Sequence, residues 1–476
     1  MSASAGTGRS QSKLRTVAVI GGGITGLAAA NRLRDLAAEL GRPLAIALFE
    51  SSKRAGGKIV TVLREGFVAE CGPDCFVSEK PGATGLIDRL DLSRELIAIK
   101  EQNRKSYILH SNRLHEIPDG LMMGAPTRLL PVLTSRLFST RAKVRIALEP
   151  LLARRGNDAD ESLARFIARH FGREMVDRMV GPLIGGIFGG DPDQLSAHAT
   201  MPQMVASEHR WRSLTLAMKA TRPRRSATDA KPSSMLTLRG GMQTLSDALV
   251  RRLGEVVNLG TEVTSLRRES GRWRLSLAGA GEFLAEAVIC ASPAWVTARL
   301  CREIDAELAD TLDSIHYNSV ATVNFGFATM PACRLPAGTG FVIARDERRM
   351  LKAVSFSSAK FENRVPKGGL LVRAFISDSA AGDYDESDLI SHARLELADI
   401  LGLAAEPTLV EISRQARALP RYNVGHQERV VFAEERAARL RGLFLAGAAF
   451  RGVGVPDCIS SGEAAASEAF ACVTTK

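Results

Sequence analysis

The strongest constraint in this sequence sits near its start. Residues 16–20 (TVAVI) are short, apolar and β-branched, the composition of a buried strand. They run directly into Gly21-Gly22-Gly23, and Gly26 follows. Residues 25–40 then carry Leu27, Ala30, Leu33 and Leu36 on one helical face with charges opposite. A second strand, residues 44–49 (LAIALF), stops at Glu50. Strand, glycine turn, helix and strand within about 35 residues form the opening unit of a dinucleotide-binding fold.

Each position in that unit has a chemical reason. Gly21 permits the tight turn, Gly23 lets backbone approach a pyrophosphate, and Gly26 lets helix and strand pack closely. With Gly22, Ile24 and Thr25 they form the phosphate loop, where a helix N-terminus offers free N–H groups and a positive dipole end. Glu50 is placed to accept both ribose hydroxyls and would repel a 2′-phosphate. The bland alternative is a glycine-rich turn with a surface glutamate.

The following residues favour FAD over NAD. Ser51, Arg54, Gly56, Gly57 and Lys58 follow closely enough to wrap a ribityl-pyrophosphate. Glu70, Cys71, Gly72, Pro73, Asp74 and Cys75 form a strand-like segment that brings backbone towards a flavin. Val263 lies in a strand-rich stretch, 256–289, and is counted with the cofactor site. Near the C-terminus a strand at 442–446 precedes Gly447, Val453, Gly454 and Val455. A helix expected over 462–470, capped by Ser460 or Ser461, would meet the flavin with its N-terminus. The cofactor site is thus expected from both ends of the chain, with the residues between inserted for substrate.

The expected fold is α/β: a Rossmann-like FAD-binding domain, a mixed-sheet α+β substrate domain and a helical insertion. The discontinuous FAD domain takes 14–90, 232–298 and 438–476. The substrate domain takes 91–118, 206–231 and 299–437, with strands expected in 320–376. Residues 119–205 read as helical, with Leu163, Phe166, Ile167 and His170 at helical spacing. Residues 221–234 read as an exposed loop.

Composition narrows the function. The chain has seven cysteines and eight histidines but no CxxC or HExxH motif, so no metal site is expected. Sparse cysteines read as free thiols in a reducing compartment. Residues 1–15 are polar without an apolar core, so they do not read as a secretory signal and are expected to fray. No apolar run approaches the ~20 residues of a spanning helix. The net charge of +11 favours anionic partners. With aromatics at 5% and no basic run interleaved with them, nucleic acid is not expected.

The motifs together resemble the protoporphyrinogen oxidase family, most closely its bacterial soluble branch, which includes coproporphyrinogen III oxidases. The resemblance runs over about residues 14–472. It is carried by 17–33 (VAVIGGGITGLAAANRL), 49–59 (FESSKRAGGKI), 70–76 (ECGPDCF), 181–197 (GPLIGGIFGGDPDQLSA), 240–245 (GGMQTL), 418–426 (ALPRYNVGH) and 445–462 (LAGAAFRGVGVPDCISSG). The first two are shared with all amine-oxidase-like flavoproteins. Two departures stand out: Gln415 where the family often has Trp, and Ala55 where a bulkier residue is usual.

The resemblance implies six-electron oxidation of a porphyrinogen, either protoporphyrinogen IX or coproporphyrinogen III, in three steps through FAD to dioxygen, with three H2O2 formed. It implies no catalytic acid or base, because the flavin takes the hydride and the macrocycle redistributes its own protons. Lys80, Arg104 and Lys105 are candidates for pairing with substrate propionates, and Leu335, Phe341, Ile343 and Phe356 for lining an apolar slot. For each, a solvated charge or ordinary core packing competes. His426 is either a base or part of a structural turn, the latter favoured. The insertion, with Arg128, Arg136, Arg141, Lys143 and Arg145, resembles a membrane-facing domain; anionic-membrane contact and a solvated basic face weigh equally. The expected setting is cytoplasmic or peripheral on the inner membrane face, and homodimers are common in the family. The alternatives are an amine oxidase or carotenoid desaturase, and a non-catalytic flavin- or porphyrin-binding protein.

Overall fold

The computed structural model describes residues 14–122, 124–152, 159–220, 235–279 and 281–475. Of residues 1–15, expected to fray, 1–13 lie outside the described residues, as does the expected loop 221–234, while Arg15 already belongs to the first strand.

A five-stranded sheet runs in the order Val257–Asn258, Leu44–Phe49, Arg15–Ile20, Ala287–Cys290, Leu443–Leu445. Every pairing is parallel. Parallel strands are covered on both faces, which explains their unbroken apolar runs. The opening strand alternates between two cores. Val17 and Val19 pack with Leu27, Leu33, Ile459 and Ala466 of the opening helix, Ile24–Glu39, and the closing helix, Val455–Thr474. Ala18 and Ile20 pack the other way, against Val263, Leu266 and Trp273 of an antiparallel three-stranded layer. Gly462 lets the two long helices cross closely: a Cβ there would lie 2.2 Å from the Thr25 carbonyl oxygen.

A second, seven-stranded sheet is mixed. Its order is Leu409–Pro420, Tyr317–Phe327, Leu370–Ile376, Leu351–Ser355, Gly340–Ile343, Tyr107–His110, Arg113–Glu116. One face buries Val323, Phe325 and Val372 against Leu389, Leu397 and Leu401, the apolar positions of the helix Glu386–Leu401. Asp385 caps that helix, accepting from the Asp388 N–H at 2.8 Å. The opposite face carries Thr322, Asn324 and Arg373, which meet the segment after Glu70.

Short helices across the expected insertion enclose a core of their own. Leu163, Phe166, Ile167 and His170 are all buried on the helix Leu163–Phe171, capped by Ser162 as accepting partner of the Arg165 N–H at 3.2 Å. Among the described residues no helix is long and apolar enough to cross a membrane. All seven cysteines are free.

Candidate cofactor and substrate cavity

The carboxyl ends of the parallel strands open into one large cavity of about 1650 Å³. A single small-molecule pocket typically occupies about 300–1,000 Å³, so this space accommodates two sizeable ligands. Its first wall is the glycine turn. Gly21 adopts φ +106° and its N–H donates to the Phe49 carbonyl at 2.8 Å. A Cβ on Gly26 would lie 1.9 Å from the Gly21 oxygen, so helix and turn touch with no room to spare. A Cβ on Gly23 would meet nothing within 4 Å. The opening helix starts there with no side-chain cap, leaving its first N–H groups facing the cavity.

Glu50 closes that wall. Its carboxylate accepts from the Gly22 N–H at 2.6 Å and the Ser52 N–H at 2.9 Å. A carboxylate has about four acceptor sites, so capacity remains for ribose hydroxyls. The Gly56 N–H donates to the Gly22 carbonyl at 2.8 Å, clipping the second segment onto the first. Arg54 shapes this segment by donating to the Ala55 and Ile59 carbonyls at 2.9 and 3.0 Å. The Lys58 ammonium meets no carboxylate among the described residues, and burial depresses its pKa. Two cationic groups, Arg54 bonded to carbonyl oxygens and Lys58, thus line the cavity beside an uncapped helix start.

The third wall is Gly72–Cys75, set over a buried polar cluster. Lys360 donates to the Asp74 carboxylate at 2.8 Å and to Cys75 Sγ at 3.3 Å. Burial would raise the Asp74 carboxyl, but Lys360 and Arg373 hold it well below the usual range. Burial pushes the Cys75 thiol up to about 12 and Cys71 to about 11, so both stay protonated at neutral pH. Glu70, beneath the wall, is raised by burial to about 7, against the opposing bonds from Met242 and Thr61. Gln415 donates to the Cys71 carbonyl at 3.1 Å, tying an edge strand to this wall.

The C-terminal wall corrects one expectation. The closing helix begins at Val455, with Gly454 as its cap position, not at 462. Pro456 suits a first helical turn, where its missing N–H costs nothing, so the glycine run ends sooner than composition suggests. Ser461 lies inside the helix and accepts from the Gly447 N–H at 3.0 Å. The loop 447–454 is also pinned from behind. The Tyr422 hydroxyl donates to the Ala448 carbonyl at 2.6 Å and accepts from the Gly452 N–H at 2.8 Å. His426 stacks on Tyr422 at 3.9 Å and donates from Nε2 to the Phe450 carbonyl at 3.0 Å. Burial lowers its pKa to about 4, so it is neutral at pH 7 and off the cavity. The motif 418–426 therefore serves as a brace for the loop.

Of the expected cofactor residues, Gly21, Gly23, Ile24, Thr25, Glu50, Ser51, Arg54, Gly57, Lys58, Gly72, Pro73, Asp74, Cys75, Val263, Gly447, Val453, Gly454 and Val455 line the cavity. Gly22 and Gly26 stand behind it, shaping the turn. The expected substrate residues divide. Phe341 and Ile343 line the cavity. Lys80, Arg104, Lys105, Leu335 and Phe356 do not. Lys80 pairs with Asp457 at 2.7 Å, Arg104 with Glu101 at 3.0 Å and Lys105 with Glu116 at 2.9 Å, each outside the cavity. Phe356 is buried behind Phe341, ring centroids 6.0 Å apart.

Several lining residues were not anticipated. The helix Gly181–Phe188 presents Leu183, Gly185, Gly186 and Ile187, and the sheet presents Val342, Val354, Lys352, Arg345 and Arg373. The motif 181–197 was visible in sequence, but the strand residues stand singly and carry no signal. Arg345 is bound by Asp191 and Asp193 at 3.0 Å each. Among the described residues the Lys352 ammonium donates to the Arg349 carbonyl at 3.2 Å and pairs with no carboxylate, Glu396 acting on it only at longer range. Outside the cavity, His110, Asp346 and Glu347 bring three potential metal-ligand atoms together, but Arg178 and the Ser111 N–H already engage the two carboxylates.

The open space at Gly23, the acid at the second strand's end, the two cations and two uncapped helix starts fit a dinucleotide with an anionic pyrophosphate. The comparisons agree. The model for flavin containing amine oxidoreductase matches residues 24–469. The chain is 36% identical over 461 residues to the coproporphyrinogen III oxidase of Bacillus subtilis (strain 168), covering 95% of this chain and 97% of that one. It is 31% identical to the protoporphyrinogen oxidase of Homo sapiens, covering 95% and 98%. Among solved structures, a protein from Exiguobacterium sp. 255-15 provisionally named a protoporphyrinogen oxidase superposes with a TM-score of 0.85 at 31% identity, covering 96% and 99%. A putrescine oxidase superposes at 0.68 with 17% identity over 96% of this chain and 99% of that one, a likeness of fold alone.

Proposed function

The chain belongs to the flavin containing amine oxidoreductase family, and we propose that it oxidises a porphyrinogen, coproporphyrinogen III, to the porphyrin in haem biosynthesis. The observation that carries this reading is the cavity's second part. Beyond the dinucleotide walls, Leu183, Ile187, Phe341, Ile343 and Val354 offer an apolar lining, and Gly185 and Gly186 leave it open. Lys352 adds a cation without a carboxylate partner, suited to a propionate. The relatives with 36%, 32% and 29% identity are named coproporphyrinogen III oxidases, which supports the tetra-propionate substrate over protoporphyrinogen IX.

Bound FAD would supply a two-electron acceptor for each of three oxidations, with dioxygen as the final acceptor. The glycine turn, Glu50, Arg54 and Lys58 would hold the dinucleotide. Gly72–Cys75 and the loop 447–454 would present backbone to the flavin. The apolar walls orient the macrocycle and exclude water. At the wall Gly72–Cys75 no side chain is set up as a base: Cys71 and Cys75 are held protonated and Asp74 is engaged by Lys360. Substrate protons redistribute by tautomerism within the macrocycle and are released to solvent.

Porphyrin fluorescence in air, against a control without protein, tests this. Coproporphyrinogen III is expected to be oxidised at least about tenfold faster than protoporphyrinogen IX, the discrimination one lost charged contact gives. Comparable rates would make the enzyme a protoporphyrinogen oxidase. No rate above autoxidation with either would remove the reading.

A peripheral membrane position is supported by a separate patch. The helices Leu129–Thr134, Thr140–Ala147 and Glu149–Leu152 pack consecutively. They expose Leu130 at 73% and Leu151 at 81%, with Val144 and Leu152 nearby. Arg128, Arg136 and Arg141 are exposed in the same region. Apolar side chains among cations suit an anionic bilayer surface. The protein is expected to sediment with phosphatidylglycerol vesicles, not with phosphatidylcholine vesicles, and Leu130→Asp with Leu151→Asp should abolish this. No sedimentation with either vesicle would mean a solvated basic face.

A further inference from the structure

The wall at Gly72–Cys75 hides a surplus of positive charge. Arg373 is 3% exposed, yet lines the cavity. Its Nη1 donates to the Gly72 carbonyl at 2.6 Å and its Nη2 to Thr322 Oγ1 at 3.3 Å. Its Nε has no partner. The guanidinium also lies against the Phe375 ring, 4.7 Å from its centroid. Among the described residues no carboxylate meets it directly, Asp74 and Glu70 acting on it only at longer range. Asp74 is taken by Lys360, and Glu70 accepts from the Met242 N–H and from Thr61 Oγ1, each at 2.8 Å.

Around this wall three buried cations, Lys360, Arg364 and Arg373, face buried Glu70 and half-buried Asp74, while Glu411, the further carboxylate acting on Cys71, is already paired with Arg64 at 3.2 Å. Glu70 titrates near neutrality and both thiols stay protonated, so the surplus is at least one positive charge. An uncompensated buried cation is costly, and a fold that keeps one is complete only when a ligand brings the missing anion.

We propose that Arg373 is the counter-charge for the bound flavin ring, stabilising the negative charge the ring gains on two-electron reduction. Two electrons and one proton from the substrate carbon leave the ring one charge more negative, and the second proton lost by the substrate goes to solvent. A fixed cation at the ring makes that transfer more favourable. Anchoring to the Gly72 carbonyl places Arg373 on the flavin side of the cavity. Lys352, with its solvent-exposed side chain, stands where a propionate is better received. The inference rests on the flavin reading of the site and not on which porphyrinogen is oxidised.

The test is the reduction potential of bound FAD, measured on substrate-free holoenzyme against reference dyes. Wild-type FAD is expected to be more easily reduced than free FAD. In Arg373→Met the reduction equilibrium constant should fall at least tenfold, about 30 mV for a two-electron couple. Arg373→Lys should restore most of it, because it keeps the charge. An unchanged potential in flavin-loaded Arg373→Met overturns the proposal, and more so if KM for coproporphyrinogen rises alone, since that is a propionate clamp. Should Arg373→Met not hold FAD, the wild-type comparison decides: bound FAD no easier to reduce than free FAD overturns it. A shifted potential without porphyrinogen turnover would remove the proposed substrate and leave this inference standing.

Discussion

Gly23→Val is expected to produce a folded protein that retains no FAD. The residue sits at φ −69°, ψ 175°, extended backbone that valine adopts readily, and a Cβ there meets no protein atom within 4 Å. The new methyl groups would occupy the space the pyrophosphate needs, so affinity should fall on the order of a hundredfold from overpacking alone. Gly26→Val is the contrast. Its Cβ would strike the Gly21 oxygen at 1.9 Å, prising the opening helix from the sheet, so this variant should lose the fold itself. Flavin absorbance per chain and thermal melting of the cofactor-free proteins separate the two. Stoichiometric FAD in purified Gly23→Val would show that the phosphates lie elsewhere.

The largest stability effect is expected far from the cavity, at His170. The ring is buried, with Nδ1 2.8 Å from Glu149 Oε1 and Nε2 2.9 Å from Glu208 Oε1. With a carboxylate on each nitrogen, the ring is protonated and donates twice. Burial would lower its pKa, but the bonds to Glu149 and Glu208 raise it overall. Glu149 further accepts from Ser213 Oγ at 2.6 Å and the Leu214 N–H at 2.9 Å, and Arg169 bridges Glu208 and Glu161. His170→Leu leaves buried Glu149 without a cationic partner among the described residues and Glu208 with Arg169 alone, which should cost about 3–5 kcal/mol in unfolding of the full chain.

The same network has a defined pH window. A raised folded-state value means His170 contributes fully below its unfolded value of ~6.5 and loses its contribution as pH rises through the folded value. For Glu208, burial raises the pKa but Arg169 and His170 outweigh it and hold it at about 2. Its contribution is present above the unfolded ~4.3 and lost as pH falls through about 2. The stability gap between wild type and His170→Gln should therefore be widest between about pH 4.3 and 6.5 and should narrow on the alkaline side. A gap that widens with rising pH would contradict a protonated His170.

The opening unit was legible because its chemistry is local: a strand, a turn and a helix start contain their own reasons for folding. The closing helix was half legible. Its strand and glycines were visible, but Gly454-Val455-Pro456 reads as loop until Pro456 is recognised as an N-terminal residue. Lys80 misled because charge says nothing about direction, and its partner Asp457 lies 377 residues away. His170 stands at helical spacing with Leu163, Phe166 and Ile167 in the sequence, yet nothing there ties it to Glu149 or Glu208. Arg373 was invisible for a related reason. Within an apolar strand (LLVRAFI) its fate depends on Gly72 and Thr322, which only the folded sheets bring near.

The division of the cofactor cavity between the first and last segments of the chain has a consequence for biosynthesis. At about 5–20 residues per second the ribosome needs tens of seconds to travel the roughly 400 residues from the glycine turn to the closing strand. Throughout that interval the opening helix lacks the closing helix that buries Leu27 and Leu33. The nascent chain must wait with its sheet unfinished, and the flavin can be captured only once the closing helix has been made. Holoenzyme yield is then governed by the flavin available after that point rather than while the opening unit waits.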